Sequence, residues 1–304
     1  MTAPADRPAA PRVEVRFGSF LSQASHSWAE VLADVQEAEE LGFDHAWLVD
    51  HFVDTDGPPD LPCLEAWTLL AALAMKTSRI RLGVLVSSNT FRHPALLAKE
   101  AATVDHVSGG RLILGLGTGW HEGEHRRFGI DLPPVGERVD RLEEAIVMIR
   151  SLMSQERTTF EGRYYRLDDA PFSPRPVQPH IPLLIAAHRP RMLRIAARYA
   201  DQWDTFATLA GSATDGLETP VADRIAALDA ACAEIGRDPR EIRRSTWAGP
   251  GVYDRADAFE DFVRAHRALG FTDFSIERPP GGRRAVLERI ARVTIPALRA
   301  EFAG

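Results

Sequence analysis

Short, nearly continuous apolar runs alternate along this chain with longer stretches in which apolar residues recur every three or four positions. The first run, VEVRFGSF from Val13, is followed by Ser27 and Glu30, spaced as a capping box before a helix with Trp28, Val31, Leu32, Val35 and Leu41 on one face. Gly42 ends that helix, and HAWLVD gives a second strand. Beyond a proline-rich loop, a stripe of Leu64, Trp67, Leu70, Ala71 and Ala74 predicts a helix before IRLGVLVSS, a run apolar enough to be covered on both faces, as in a parallel sheet. Pro94 suits the first position of the next helix, and Ser108-Gly109-Gly110 stops it before RLILGLG.

A long helix follows through Val139, Leu142, Ile146, Ile149 and Leu152. The segment from about Ser154 to Pro182 carries five prolines and reads as an insertion (155–182) over the mouth of the fold. PLLIA, ADQWDTFA, IRRSTWAG and FTDFSIE then each start a strand backed by a helical stripe. About eight alternating pairs predict an α/β chain folded as a (β/α)8 TIM barrel, since a doubly wound sheet commonly uses fewer. The barrel is expected over 13–304, with residues 1–12, rich in Pro and Ala, as a flexible tail.

Composition narrows the partners. A formal net charge of −7 without a Lys/Arg run argues against a nucleic-acid surface, which needs clustered cations. No segment approaches the ~18 consecutive apolar residues of a membrane span, and the N-terminus lacks the apolar core of a signal peptide. The two cysteines, Cys63 and Cys232, fall on apolar faces of predicted helices and read as free thiols. Together these predict a soluble cytoplasmic protein acting on a small molecule, with no nucleic-acid or membrane role.

In such a barrel the chemistry lies at the C-terminal ends of the strands. Those positions are Asp50-His51, Leu85 to Thr90, Gly117 to His121, Ala186 to Arg189, Asp204 to Phe206, and Trp247. His51 follows a buried strand and is a candidate proton donor; the plainer reading is a packed histidine beside a capping Asp50. The glycines of GLGTGW permit close approach of backbone to a flat or anionic ligand, but the dinucleotide fingerprint fails because Trp120 stands where its last glycine belongs. His121 to His125 spells H-E-x-x-H, a zinc signature that needs both imidazoles on one helical face. The glycines before it and Gly123 within it oppose a helix, each interior glycine costing about 1 kcal/mol, so no metal is expected.

Several passages match a known pattern in order: WAEVLADVQEAEELGFDHAWLVDHF, the stretch from LEAWTLLAALAMKTSRIRLGVLVSSNTFRHPALL to GGRLILGLGTGW, EHRRFGI with ERVDRLEEAIVMIRSL, and RMLRIAARYADQWD. From about Val13 to Ala300 the chain resembles the bacterial-luciferase-like flavin and deazaflavin oxidoreductases, and TTFEGRYYRLDDAPFSPRPVQ and LERIARVTIPALR look like the branch dependent on coenzyme F420. The resemblance implies a barrel holding a deazaflavin, or alternatively FMN, at its strand ends, backed by a non-prolyl cis peptide at Leu85-Val86. By the same resemblance His51 is the catalytic acid/base. Asp50, Ser87, Asn89 and Thr90 border the cofactor on one side and Thr118, Gly119 and Trp120 on the other. Some members carry a catalytic glutamate where Trp120 stands, so oxidation of a sugar phosphate is not expected. The branch also has a glycine-rich phosphate loop where this chain has Ala186-Ala187-His188-Arg189-Pro190; Ala186, Ala187 and His188 are the corresponding cofactor-binding positions. The implied activity is hydride transfer to or from a small organic molecule, with a separate flavin or F420 reductase and a homodimeric assembly as family expectations. The alternatives are an FMN-dependent two-component monooxygenase and a cofactor-free small-molecule-binding barrel.

Overall fold

Each apolar run becomes a strand of one closed sheet. The computed structural model describes residues 14–55, 57–206, 219–255, 257–279 and 283–303, so the expected tail at 1–12 lies outside the described residues. The strands are β1 (Arg16–Phe20), β2 (His45–Leu48), β3 (Arg81–Val84), β4 (Ser87–Ser88), β5 (Leu112–Gly117), β6 (Arg157–Glu161), β7 (Arg166–Pro171), β8 (Leu183–Ala186), β9 (Gln202–Asp204), β10 (Arg243–Ala248) and β11 (Asp273–Glu277). Around them lie α1 (Trp28–Glu40), α2 (Ala66–Ala74), α3 (Pro94–Ser108), α4 (Glu122–Phe128), α5 (Val135–Ser154), α6 (Pro190–Tyr199), α7 (Val221–Glu234), α8 (Ala258–Ala268), α9 (Arg284–Arg289) and α10 (Ile295–Ala303).

All pairings in the main sheet are parallel, in the order β3-β2-β1-β11-β10-β9-β8-β5-β4, and a β3–β5 pairing closes the ring. With β3 and β4 as two parts of one broken strand, the described residues make the eight-stranded barrel that the alternation predicted. Local signals also hold. Ser27 caps α1 through a reciprocal pair, Ser27 N–H to Glu30 at 2.8 Å and Glu30 N–H to the Ser27 hydroxyl at 3.4 Å. Pro94 opens α3, and Gly109 closes it at φ 65°, a conformation that glycine adopts without penalty.

The main core lies between the outer face of the sheet and the helices. Inside the ring, Phe20, Trp47, Ile113 and Leu184 form a separate apolar layer on which Val49, Leu85 and Val86 pack, and this is the floor of the mouth. Deeper in the ring the strands turn polar groups inward: His45, Gln202, Ser245 and Asp273 are all buried. Burial drives His45 down to about 3, with Arg16, Arg243 and Arg81 adding to the effect, so it is neutral.

Asp204 belongs to the same interior. Burial pushes its carboxyl from 3.8 up to about 7; the Ser245 hydroxyl, donating at 2.7 Å, opposes the shift and the charge of Asp273 adds to it. As pH rises from about 4 to about 7 the unfolded chain releases a proton that the folded chain retains, so the folded state loses stability across that window. Asp204→Asn keeps an acceptor for Ser245 without the ionisable group. Its melting temperature should match that of the wild type near pH 4 and exceed it near pH 8, a gain on the order of a few kcal/mol. Parallel pH–Tm curves for the two proteins would contradict this account of the site.

In the segment 155–182, β6 and β7 form an antiparallel hairpin whose backbone amides at Arg163 and Tyr164 donate to Glu144 on α5. It reaches the mouth through Tyr165, whose hydroxyl accepts from Asn89 at 3.2 Å. The chain then descends to the opposite end of the barrel, where Gln178 bonds Asp105 and Arg81, because β8 must be entered from its N-terminal end. Cys232 is buried on α7 as expected, but Cys63 precedes α2, bridging to Ala24, and its thiol donates to the His51 carbonyl.

Candidate active site

The peptide Leu85-Val86 is cis, at the bond that the resemblance indicated, and it separates β3 from β4. Glycines on the neighbouring β5 accommodate this kink. A Cβ on Gly115 would lie 2.1 Å from the Val84 carbonyl oxygen, and one on Gly117 would lie 2.5 Å from the Val86 side chain. The close approach read from GLGTGW is therefore made at these two positions by protein, and at Gly119 the φ of +78° and contacts to Ser88 and Thr90 hold the turn against β4.

Asp50 anchors the same kink rather than facing a ligand. One carboxylate oxygen accepts from the Ser88 amide at 2.8 Å and from Arg92 at 2.6 Å, and the other takes a second Arg92 bond at 3.0 Å. Ser87 is likewise turned inward, accepting from Trp67 Nε1 at 3.1 Å. Thr90 shares its hydroxyl with Ser88 and His125, each at 2.7 Å. Asn89 is different: it is buried, its amide nitrogen reaches Tyr165, and its Oδ1 has no partner among the described residues.

His51 stands at the end of β2 with 17% of its side chain exposed, its Nδ1 2.9 Å from Oε2 of Glu124, which is fully buried. Glu124 also accepts from the Phe52 amide. Burial alone would raise the Glu124 carboxyl, but the bonds from His51 and Phe52 outweigh it and hold the group below the usual carboxylate range. An ionised carboxylate only accepts hydrogen bonds, so the His51 proton sits on Nδ1 and Nε2 is left for the mouth. Trp120, 59% exposed, meets the His51 ring edge-on at 5.8 Å between centroids, and His121 meets it at 6.1 Å.

Glu124 is a residue that the motif reading passed over. The helix that the glycines were expected to oppose does form, as α4, but it begins after His121, whose Nδ1 caps it by accepting from the Glu124 amide at 3.1 Å. The two imidazoles are thereby separated in role: His125 bonds Thr90 and the His121 carbonyl. Among the described residues no three His, Cys, Asp or Glu side chains are grouped to hold a metal.

Thus Asp50, His51, Leu85 to Thr90 and Thr118 to Trp120 come together at the ends of β2, β4 and β5. Ala186, Ala187 and His188 lie one strand further round, at the end of β8. Ala187 is buried, with its amide bonded to the Asp204 carbonyl and its carbonyl to Trp203, so it offers no free N–H. His188 bonds Thr205 at 3.0 Å, and its ring stacks on Phe206, 5.9 Å between centroids. Burial lowers His188 to about 4, and Arg224 and Arg189 contribute, so the ring is neutral near pH 7. Trp67 and Trp203 belong to the core, whereas Phe206 and Trp247 pack on each other at 4.3 Å and Trp247 stacks on Phe20 at 5.0 Å.

The family model for luciferase-like monooxygenase matches residues 13–294. An F420-dependent glucose-6-phosphate dehydrogenase of Kineococcus radiotolerans is 42% identical over 171 residues, 54% of this chain and 48% of that protein. An F420-dependent hydroxymycolic acid dehydrogenase of Mycobacterium tuberculosis is 35% identical over 269 residues, 86% of this chain and 69% of that protein. The chain spans about half the length of several curated relatives it matches. A solved F420-dependent secondary alcohol dehydrogenase superposes with a TM-score of 0.78 at 19% identity, covering 93% of this chain and 99% of that one, a likeness of fold. A match over nearly the whole chain, on a barrel with this cis kink, places the protein in the luciferase-like monooxygenase family.

Proposed function

We propose that this chain is an F420-dependent oxidoreductase that moves hydride between the deazaflavin and a small alcohol or carbonyl compound, with His51 handling the proton. The observation that carries the reading is His51 itself, fixed through Nδ1 on Glu124 with part of its ring still exposed at the strand ends. The residues fit a flat tricyclic ring. Leu85 and Val86 present a half-buried apolar face, and Asn89 Oδ1 is an unused buried acceptor for a ring N–H. Leu85, Val86, Asn89, Gly119 and Trp120 would hold the ring. Thr118 borders it, Ala186 and His188 would lie along its tail, and Asp50, Ser87 and Thr90 support these groups from behind.

When bound, the deazaflavin supplies the carbon that accepts or gives hydride. In the oxidative direction His51 Nε2 takes the hydroxyl proton as the adjacent carbon loses hydride; in the reductive direction the imidazolium returns that proton to the carbonyl oxygen. The floor of Phe20, Trp47, Ile113 and Leu184 excludes water from below. Trp120 supplies no acid, so the reading does not extend to the sugar-phosphate substrate named for some relatives.

The named activities of the relatives support F420, and the family also includes monooxygenases, which makes FMN the rival. Purified protein, given F420 or FMN with each of a panel of secondary alcohols and ketones, should exchange hydride with F420 without consuming oxygen. Substrate-coupled oxygen uptake with reduced FMN would instead establish the two-component monooxygenase. No helix of the described residues is long and apolar enough to cross a membrane. We place the protein in the cytoplasm with a separate reductase that regenerates its cofactor, a placement that accords with its unbridged cysteines.

A further inference from the structure

We propose that Glu124 is the positioning residue of His51, fixing the imidazole as its Nδ1–H tautomer and balancing the charge that forms when Nε2 takes a proton. The proposal rests on the reading of His51 as the proton-handling group and adds a residue to it. Glu124 comes from a different unit of the barrel, the first turn of α4 behind β5, and reaches across the mouth wall to the loop behind β2. Its side chain is fully buried, and both oxygens are committed, Oε2 to His51 at 2.9 Å and Oε1 to the Phe52 amide. The geometry around it has one direction. The His121 ring nitrogen is 3.9 Å from Oε2 but is occupied in capping α4, and the Cys63 thiol is turned to the His51 carbonyl, so within this cluster the carboxylate serves the imidazole.

Chemically, a neutral His51 held this way offers an unprotonated Nε2 to a hydroxyl. On taking the proton at Nε2 the ring becomes a cation while Nδ1–H remains on Glu124, and no proton passes to the carboxylate. A purely structural strap would need only the Phe52 bond.

The test uses the full chain labelled with 15N-histidine, as wild type, Glu124→Gln and Glu124→Asp. In the wild type, neutral His51 should show a protonated Nδ1 and a bare Nε2. In Glu124→Gln, whose amide both donates and accepts, the tautomer should become mixed, and kcat should fall by at least about 10-fold with KM and cofactor Kd within about twofold. Glu124→Asp should restore the tautomer and part of kcat. A wild-type His51 protonated at Nε2, or variants that lose kcat only in proportion to lost stability and cofactor affinity with the tautomer unchanged, would overturn the proposal. The NMR measurement requires neither substrate nor cofactor, so it judges the pair even where the hydride-transfer assay fails.

Discussion

His51→Ala is expected to lower kcat by about 100- to 10,000-fold, the usual contribution of a positioned acid/base group, while the Kd for oxidised cofactor changes little. The separation follows from the site. In the proposed site Leu85 and Val86 would carry the cofactor ring, whereas His51 would contribute an edge nitrogen and has its other nitrogen on Glu124. Truncation also leaves the fully buried Glu124 carboxylate with one bond fewer, so some loss of stability should accompany the loss of rate. Turnover, cofactor titration and melting temperature measured on the same preparation separate these effects. Wild-type turnover in the variant would remove the histidine from the chemistry.

Asp50→Ala is expected to cost about 3 kcal/mol of folding stability, the scale of breaking one side of a buried ion pair, and to weaken cofactor binding as a consequence. The carboxylate holds Arg92 through two bonds and the Ser88 amide through a third, and it is itself 3% exposed. Glu65 and Glu100 remain beside Arg92 at 3.0 and 3.5 Å, so the guanidinium is not left without a counter-charge, but the segment after the cis kink loses its anchor. Urea unfolding should show the lost stability, with Asp50→Asn milder because its amide oxygen still accepts. A variant of unchanged stability that nevertheless binds no cofactor would make Asp50 a direct ligand contact.

The barrel was legible because parallel strands covered on both faces read as unbroken apolar runs, as in IRLGVLVSS and RLILGLG. What the runs concealed was the interior of the ring. His45, Gln202 and Asp273 occupy inward positions in short strands, and three to five residues are too few for alternation to separate an inward face from an outward one. Nor do the runs show that Trp67 and Trp203 turn into the core and bond inward.

The site was legible as strand ends, and its partners were not. His51, the kink and the Gly119 turn follow from the barrel rule and the resemblance, but the side to which Asp50 turns depends on Arg92, forty-two positions away. Glu124 lay hidden within H-E-x-x-H, where a metal motif assigns the histidines as a pair. A clue to the actual arrangement was the H-x-x-E spacing at the start of a helix directly behind a barrel strand, with His121 able to act as the cap.

Soaking or co-crystallising the protein with oxidised F420 and locating the ring tests the central claim most directly. The deazaflavin should lie against Leu85-Val86, with its reacting face accessible from Nε2 of His51. A ring bound elsewhere, or an empty mouth at saturating F420 in protein that binds FMN there, would contradict it.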